Sequence, residues 1–156
     1  MRVLCCLDGT NIEQLSTTVS TLLRPDALTF GAIYVIDSSP HEEMERQRER
    51  FLRPPRPPMH RREQMRQADE LAAQDILTEG TRYLPGAELL KREGRPEREI
   101  VQCATEWRAD LVIICSRSPG GGGPSLGPKS VGRVARFVLD HAPCQVLLIR
   151  NTSANA

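Results

Sequence analysis

Five short apolar runs, separated by segments with helical periodicity, constrain the fold of this chain more than any other feature. The runs cover residues 3–7, 28–36, 87–90, 111–114 and 146–149. Each run has the length of a strand that is covered on both faces of its sheet. Strands that alternate with helices in this way form a parallel sheet with helices on both faces. The sequence therefore predicts an α/β fold with a five-stranded parallel sheet, similar to a Rossmann fold.

Four helices are predicted between the runs. The spacing of Thr10 and Glu13 matches a capping box, in which a Thr oxygen accepts a free backbone N–H at the start of a helix over about 10–23. A second helix covers about 61–78, and a third begins at Pro96, which suits a first helical position. Apolar side chains at helical spacing mark the inner faces of the second and last helices: Met65, Ala68, Ala72 and Ile76, then Val131, Val134, Ala135, Val138 and Leu139.

Composition excludes several functional classes. The net charge is +1, so the chain has no overall field to attract nucleic acid or a membrane surface, and neither partner is expected. No apolar run reaches the ~18–20 residues of a membrane-spanning helix, and no signal-peptide pattern opens the chain, so we expect a cytoplasmic protein. The chain has five cysteines: Cys5, Cys6, Cys103, Cys115 and Cys144. They form no CxxC pair, so we expect free thiols and no metal site.

Residues 41–60 differ from the rest of the chain. Charged side chains dominate residues 42–50, and the sequence PPRPP follows at 54–58. One interpretation is a solvated connection ahead of the next helix. The other is an arm that binds a protein partner, with its proline segment in a polyproline II conformation. We predict one domain over residues 1–150 with a charged insertion at about 41–60, and a disordered tail over 151–156.

The carboxyl ends of the predicted strands gather the residues that favour ligand binding. Asp8 and Asp37 each follow a strand, and a glycine-rich loop follows Cys115. Because ligands of such sheets bind outside the carboxyl ends of the strands, these residues are expected to share one crevice. The loop, with glycines at 120–123 and 127, leads into a helix N-terminus, which suits a phosphate group. A plain flexible linker explains the same glycines equally well, and Pro128 interrupts the match to a P-loop.

Several segments together resemble the universal stress protein family. They are the strand ending in Asp-Gly-Thr at 8–10, the sequence YVID at 34–37, EGRPEREIVQCATEWRADLVIICSR at 93–117, and GRVARFVLDHAPCQVLLIR at 132–150. The resemblance covers nearly the whole chain except the stretch around 41–60. It implies a five-stranded parallel α/β domain and a homodimer that pairs through the C-terminal strand, residues 145–150. It also implies that the chain is related to one branch that binds ATP and another that does not.

The ATP-binding branch has the signature Gly-x2-Gly-x9-Gly-Ser/Thr after its fourth strand. In this chain the first two glycines correspond to Cys115 and Ser118, the third to Gly132, and the hydroxyl residue to Arg133. Thirteen residues, instead of nine, lie between Ser118 and Gly132. The resemblance places Asp8 beside the adenine and ribose, although Asp8 also suits a turn that assists the helix start. The complete set of candidate binding residues is Leu7, Asp8, Val35, Cys115, Ser118, Gly120, Lys129, Ser130, Gly132 and Arg133.

Two functions follow from these patterns. The first is a small stress-response regulator that binds ATP or another adenine nucleotide, with no metal except a Mg²⁺ ion carried by the nucleotide. The second is an interaction module of the same fold that binds no nucleotide and acts through protein partners, with residues 41–60 as a contact. No catalytic residues are predicted, and slow ATP hydrolysis is the most that we expect. The HIGH-like and SGGxDS-like motifs of related ligases are absent from the sequence.

Overall fold

The computed structural model of the protein describes residues 1–50, 58–116, 127 and 129–150, without the side chains of residues 48–50. The elements follow one another in the order β1 (Arg2–Cys6), α1 (Ile12–Leu22), β2 (Thr29–Asp37), α2 (Ser39–Arg50), α3 (Met59–Tyr83), β3 (Glu88–Gly94), α4 (Pro96–Glu106), β4 (Leu111–Cys115), α5 (Arg133–His141) and β5 (Gln145–Ile149). A short 3-10 helix at Pro25–Ala27 precedes β2.

The five strands form a single parallel sheet in the order β3-β2-β1-β4-β5. Each strand corresponds to one of the apolar runs, so the predicted fold class is confirmed. The chain moves from β1 to β2 and β3 on one side, and then to β4 and β5 on the other side of β1. The connections therefore diverge above the carboxyl ends of β1 and β4, which is where open α/β sheets place their ligand crevice.

Two hydrophobic cores cover the two faces of the sheet. Leu15 and Val19 of α1, with Leu77 of α3, pack on the face formed by alternate residues such as Val3 and Cys5. On the other face, α4 and α5 pack against each other and against the sheet, with Ile100, Ala135 and Val138 in the core. Because side chains alternate along a strand, each buried strand contributes to both cores. This arrangement holds the N-terminus of α5 and the ends of β1 and β4 near one another.

Three local expectations are wrong. Thr10 does not cap α1: its hydroxyl donates to Asp8 Oδ1 at 2.9 Å, and the N-cap residue is Asn11, whose side chain makes no capping bond. On α3, Ile76 packs against the core as predicted, but the buried residues are Ala73, Leu77 and Gly80. All residues from 58 to 72 are exposed, including Met65, Ala68 and Ala72. Leu139 of α5 is also exposed.

The charged stretch is helical where the structure describes it. Residues 42–50 belong to α2, and its Glu45 forms an ion pair with Arg62 of α3 at 3.7 Å. Glu and Arg are good helix formers, so this run can form a helix without an apolar stripe. Residues 51–57 and the predicted tail at 151–156 lie outside the described part of the chain, and the disordered tail stays a prediction. Among the described helices, none is long and apolar enough to cross a membrane.

Candidate functional site

A cleft of about 710 Å³ lies at the carboxyl ends of the strands. Its walls come from the ends of β1, β2 and β4, from the start of α4, and from the residues that lead into α5. Ligand pockets in proteins typically have volumes of roughly 300–1,000 Å³, so the cleft can hold a ligand of nucleotide size. It lies at the point where the strand order diverges.

Most of the predicted site residues meet at this cleft. Seven of the ten line it: Leu7, Asp8, Val35, Cys115, Lys129, Gly132 and Arg133. Ser130 is described but does not line the cleft, and Ser118 and Gly120 lie outside the described residues. Four polar lining residues were not predicted from the sequence: Asn11, Tyr34, Ser116 and Arg136.

The turn after β1 fixes Asp8 at the cleft. The Asp8 backbone N–H donates to Asn11 Oδ1 at 3.0 Å, and Asp8 Oδ1 accepts from the Thr10 N–H and hydroxyl. Asn11 is buried and donates to the carbonyl oxygen of Cys6 at 2.9 Å. Asp8 therefore stabilises the turn through Oδ1, while its Oδ2 has no hydrogen-bond partner among the described residues. That oxygen remains available to accept from a ligand hydroxyl.

The end of β2 lines the cleft together with Asp8. Val35 is mostly buried in the core shared with α4 and α5, while Tyr34 points to the opposite face of the sheet. Partial burial, with the negative charges of Asp69, Asp8 and Asp37, raises the pKa of the Tyr34 phenol. The phenol is therefore neutral at physiological pH and can donate a hydrogen bond. This region offers both apolar and hydrogen-bonding contacts.

The floor of the cleft contains a protonated thiol. Cys115 is 9% exposed, and burial raises the pKa of its thiol to about 11. Its Sγ lies 3.9 Å from Gln14 Oε1, to which it donates a weak hydrogen bond. A thiol with this pKa is a poor nucleophile at neutral pH. Cys115 therefore acts as a small wall residue, and the buried Ser116 beside it donates its backbone N–H to Ile149 at 2.7 Å.

The opposite end of the cleft is cationic. Lys129, Arg133 and Arg136 line it around the N-terminus of α5. Gly132 is the N-cap residue of that helix, with φ 86° and ψ 159°, a conformation that is almost restricted to glycine. The free N–H groups of the first helical turn and the positive end of the helix dipole add to the side-chain charges. This end of the cleft is suited to an anion.

A hydrogen-bonded chain supports the segment before α5. Ser130 is buried; its hydroxyl donates to the carbonyl oxygen of Gly127 and accepts from Arg150 Nη1, both at 2.7 Å. Gln14 Nε2 donates to the carbonyl oxygen of Arg150 at 2.9 Å. The Ser130 hydroxyl is thus engaged in fixing the backbone. Its predicted role as a direct phosphate ligand stays untested.

The site has two chemically different ends. Asp8 and Tyr34 offer hydrogen bonds at one end, and Lys129, Arg133 and Arg136 offer positive charge at the other. Within the described residues, no three His, Cys, Asp or Glu side chains are grouped to hold a metal ion. The arrangement suits an elongated ligand that carries hydroxyl groups at one end and an anion at the other.

The fold and the cleft define a doubly wound α/β protein with a ligand crevice at the strand switch point. The model of the universal stress protein family matches residues 1–150, and the chain belongs to this family. The resemblance seen in the sequence is thereby confirmed.

Known relatives agree with this assignment. A universal stress protein of Thermus aquaticus is 30% identical over 86 residues, which are 55% of this chain and 58% of that protein. The match therefore spans little more than half of the relative's length. Two solved structures share the fold over nearly the whole chain. One is a universal stress protein family protein from Arabidopsis thaliana with AMP bound, with 16% identity, a TM-score of 0.59, and coverage of 98% of this chain and 93% of that one. The other is a universal stress protein in complex with cAMP, with 15% identity, a TM-score of 0.51, and coverage of 97% and 98%.

Proposed function

We propose that this protein is a small cytoplasmic stress-response regulator that binds an adenine nucleotide in the cleft. The observation that carries the proposal is the division of the cleft into a hydrogen-bonding end at Asp8 and Tyr34 and a cationic end at the start of α5. The adenosine moiety lies against Asp8 and Val35, where a carboxylate oxygen accepts from a ribose hydroxyl. The phosphates point toward Gly132 and the N-terminus of α5.

The chemistry of the cationic end supports the proposal although the ATP signature is changed. Cys115 and Arg133 stand where the ATP-binding branch has glycine and a hydroxyl residue. An arginine supplies a full charge and several N–H donors, whereas a hydroxyl supplies one donor, so Arg133 offers at least as much to a phosphate. Relatives of the same fold with AMP and cAMP bound also support an adenine nucleotide.

Calorimetry on nucleotide-free protein tests the proposal. ATP, ADP and AMP are titrated separately into the wild-type protein, into Asp8→Ala, and into Asp26→Ala as a matched control. Asp26 lies in the exposed 3-10 helix, so its removal changes the net charge equally but leaves the cleft intact. We expect binding that Asp8→Ala weakens and Asp26→Ala does not. No heat from any nucleotide at millimolar concentration would exclude the proposal.

A second function, binding of a protein partner, is favoured by exposed apolar side chains on α2 and α3. Apolar side chains there are open to solvent: Met44 at 46%, Met59 at 85%, Met65 at 46% and Leu71 at 62% exposure. Flexible methionines are common on surfaces that bind partner proteins. We propose that these two helices, which include the charged stretch at 42–50, contact a protein partner. Cross-linking in cell extract, compared between the wild type and Met59→Lys/Met65→Lys, tests this proposal; equal cross-linking by the two proteins counts against a contact at these methionines.

A further inference from the structure

Glu97 is a buried carboxylate that has no role in the nucleotide contacts proposed above. It belongs to the first turn of α4 and is 6% exposed. Its Oε2 is buried and has no hydrogen-bond partner among the described residues. Burial of a carboxylate is unfavourable unless a cation or hydrogen-bond donors compensate for it. The residue that Glu97 contacts therefore indicates why a carboxylate occupies this position.

The contact of Glu97 is Arg133, in the first turn of α5. Arg133 Nη2 lies 3.7 Å from Glu97 Oε1, and the Arg133 side chain is 71% exposed where it lines the cleft. A guanidinium has five N–H donors in a planar fork, and within the described part of the chain this single long contact leaves most of them uncommitted. Arg133 is thus held at its inner side by a buried charge while its outer side faces the cleft.

We infer that Glu97 is a positioning residue that holds the guanidinium of Arg133 at the N-terminus of α5, where its outer N–H groups bind a phosphate group. The planar fork allows one guanidinium to contact a carboxylate and a phosphate at once, which a lysine ammonium does less well. The pair takes the place of the hydroxyl residue in the family signature. The inference rests on the proposed function for the identity of the ligand as an adenine nucleotide. The phosphate contact itself is argued from Glu97, Arg133 and the N-terminus of α5.

Such a pair makes a prediction about selectivity. Arg133 contacts phosphate and not adenosine, so the pair increases affinity for pyrophosphate and ADP but leaves affinity for adenosine unchanged. If Glu97 only stabilised the packing of α4 against α5, its replacement would affect all three ligands alike through the fold. The ratio of ADP to adenosine affinity separates a positioning role from a structural one.

The experiment is calorimetry with pyrophosphate, ADP and adenosine on the wild type, Arg133→Lys, Glu97→Gln and the double variant. Arg98→Lys and Glu79→Gln, on exposed helical positions, are matched controls. We expect Arg133→Lys to weaken ADP and pyrophosphate by about tenfold, since a bond to a charged group is worth about that much. Glu97→Gln is expected to weaken the same two ligands, with no further loss in the double variant. Adenosine affinity and both controls stay at the wild-type level.

The outcomes are distinct. Unchanged or tighter ADP binding in Glu97→Gln, or equal losses for ADP and adenosine, overturns the inference while nucleotide binding stands. A second outcome is that Arg133→Lys and Glu97→Gln weaken pyrophosphate binding without a further loss in the double variant, while adenosine does not bind and ADP binds no more tightly than pyrophosphate. That outcome supports the inference and excludes the adenine nucleotide as the ligand. Failure of all three ligands to bind the wild type excludes both. Glu97→Asp, which keeps the charge on a shorter side chain, gives the same test if Glu97→Gln does not fold, as judged by its thermal unfolding.

Discussion

Arg150 Nη1 donates to Ser130 Oγ across 2.7 Å, and this bond joins the residue after β5 to the segment that leads into α5. Ser130 passes the restraint on, because its hydroxyl also donates to the carbonyl oxygen of Gly127. Gln14 of α1 fixes the backbone of Arg150 from the other side. The cationic end of the cleft is therefore supported by the last strand and the first helix as well as by α5.

Replacement of Arg150 with alanine is expected to lower the free energy of unfolding by about 1 kcal/mol, the usual value of one hydrogen bond in a protein. Ser130 is buried, so its hydroxyl oxygen loses its donor without full access to water. Urea denaturation of Arg150→Ala, Ser130→Ala and the double variant measures the coupling between the two residues. Arg98→Ala, an exposed arginine, is the control. Additive losses in the double variant would show that the bond contributes nothing.

The sequence predicted the sheet because the signal for each strand lies within the strand itself. An apolar run such as 111–114 is buried on both faces, so its length and composition are sufficient. The capping box failed because Asp8 competes for the Thr10 hydroxyl through a turn that spacing alone does not reveal. The predicted inner face of α3 was wrong at Met65, Ala68 and Ala72, because these side chains recur at helical spacing but are exposed to solvent. In α2, helix propensity acts without any apolar stripe.

The site divides in the same way. Asp8 was predicted because strand ends converge at one edge of a parallel sheet, whereas Cys115 and Gly132 were predicted through the resemblance to the family signature. Glu97 and Arg150 were missed, since each acts on a residue distant in sequence and neither belongs to a recognisable motif. Tyr34 was missed because an aromatic residue within an apolar strand is usually assigned to the core. Contacts between elements determine these roles, and a single sequence does not contain them.

Gly132→Ala is expected to destabilise the protein by about 1–3 kcal/mol, because a side chain at φ 86° and ψ 159° is strained. The strain also moves the first turn of α5, so affinity for ADP falls. Gly86→Ala is the matched control: Gly86 has φ 78° with open space around it, and it lies outside the cleft. Thermal unfolding and calorimetry measure both effects. We expect both variants to lose stability but only Gly132→Ala to lose affinity for ADP. Equal ADP affinity in the two variants would contradict this prediction.

The Cys115 thiol is expected to stay protonated and unreactive at pH 8. Burial raises its pKa to about 11 from an ordinary value of 9.0, whereas Cys144 is only partly buried. In the unfolded chain the thiol ionises near pH 9 and in the folded protein near pH 11, so its contribution to stability is complete below pH 9 and declines as the pH rises to about 11. Alkylation followed by peptide mass spectrometry measures the rates. Labelling of Cys115 as fast as Cys144 at pH 8 would contradict the burial of this thiol.

The homodimer through residues 145–150 remains a proposal with a direct test. β5 is one edge of the sheet, and Leu147 on it is only partly buried; β3 forms the other edge, with Leu89 exposed at 41%. A lysine on an edge strand opposes pairing with another strand. We expect Leu147→Lys to convert a dimer into a monomer, and Leu89→Lys to leave the dimer intact. Sedimentation velocity at tens of micromolar, a range that detects stable association, measures both. A monomeric wild type would exclude the dimer. Dissociation by Leu89→Lys would assign the dimer contact to a surface other than β5.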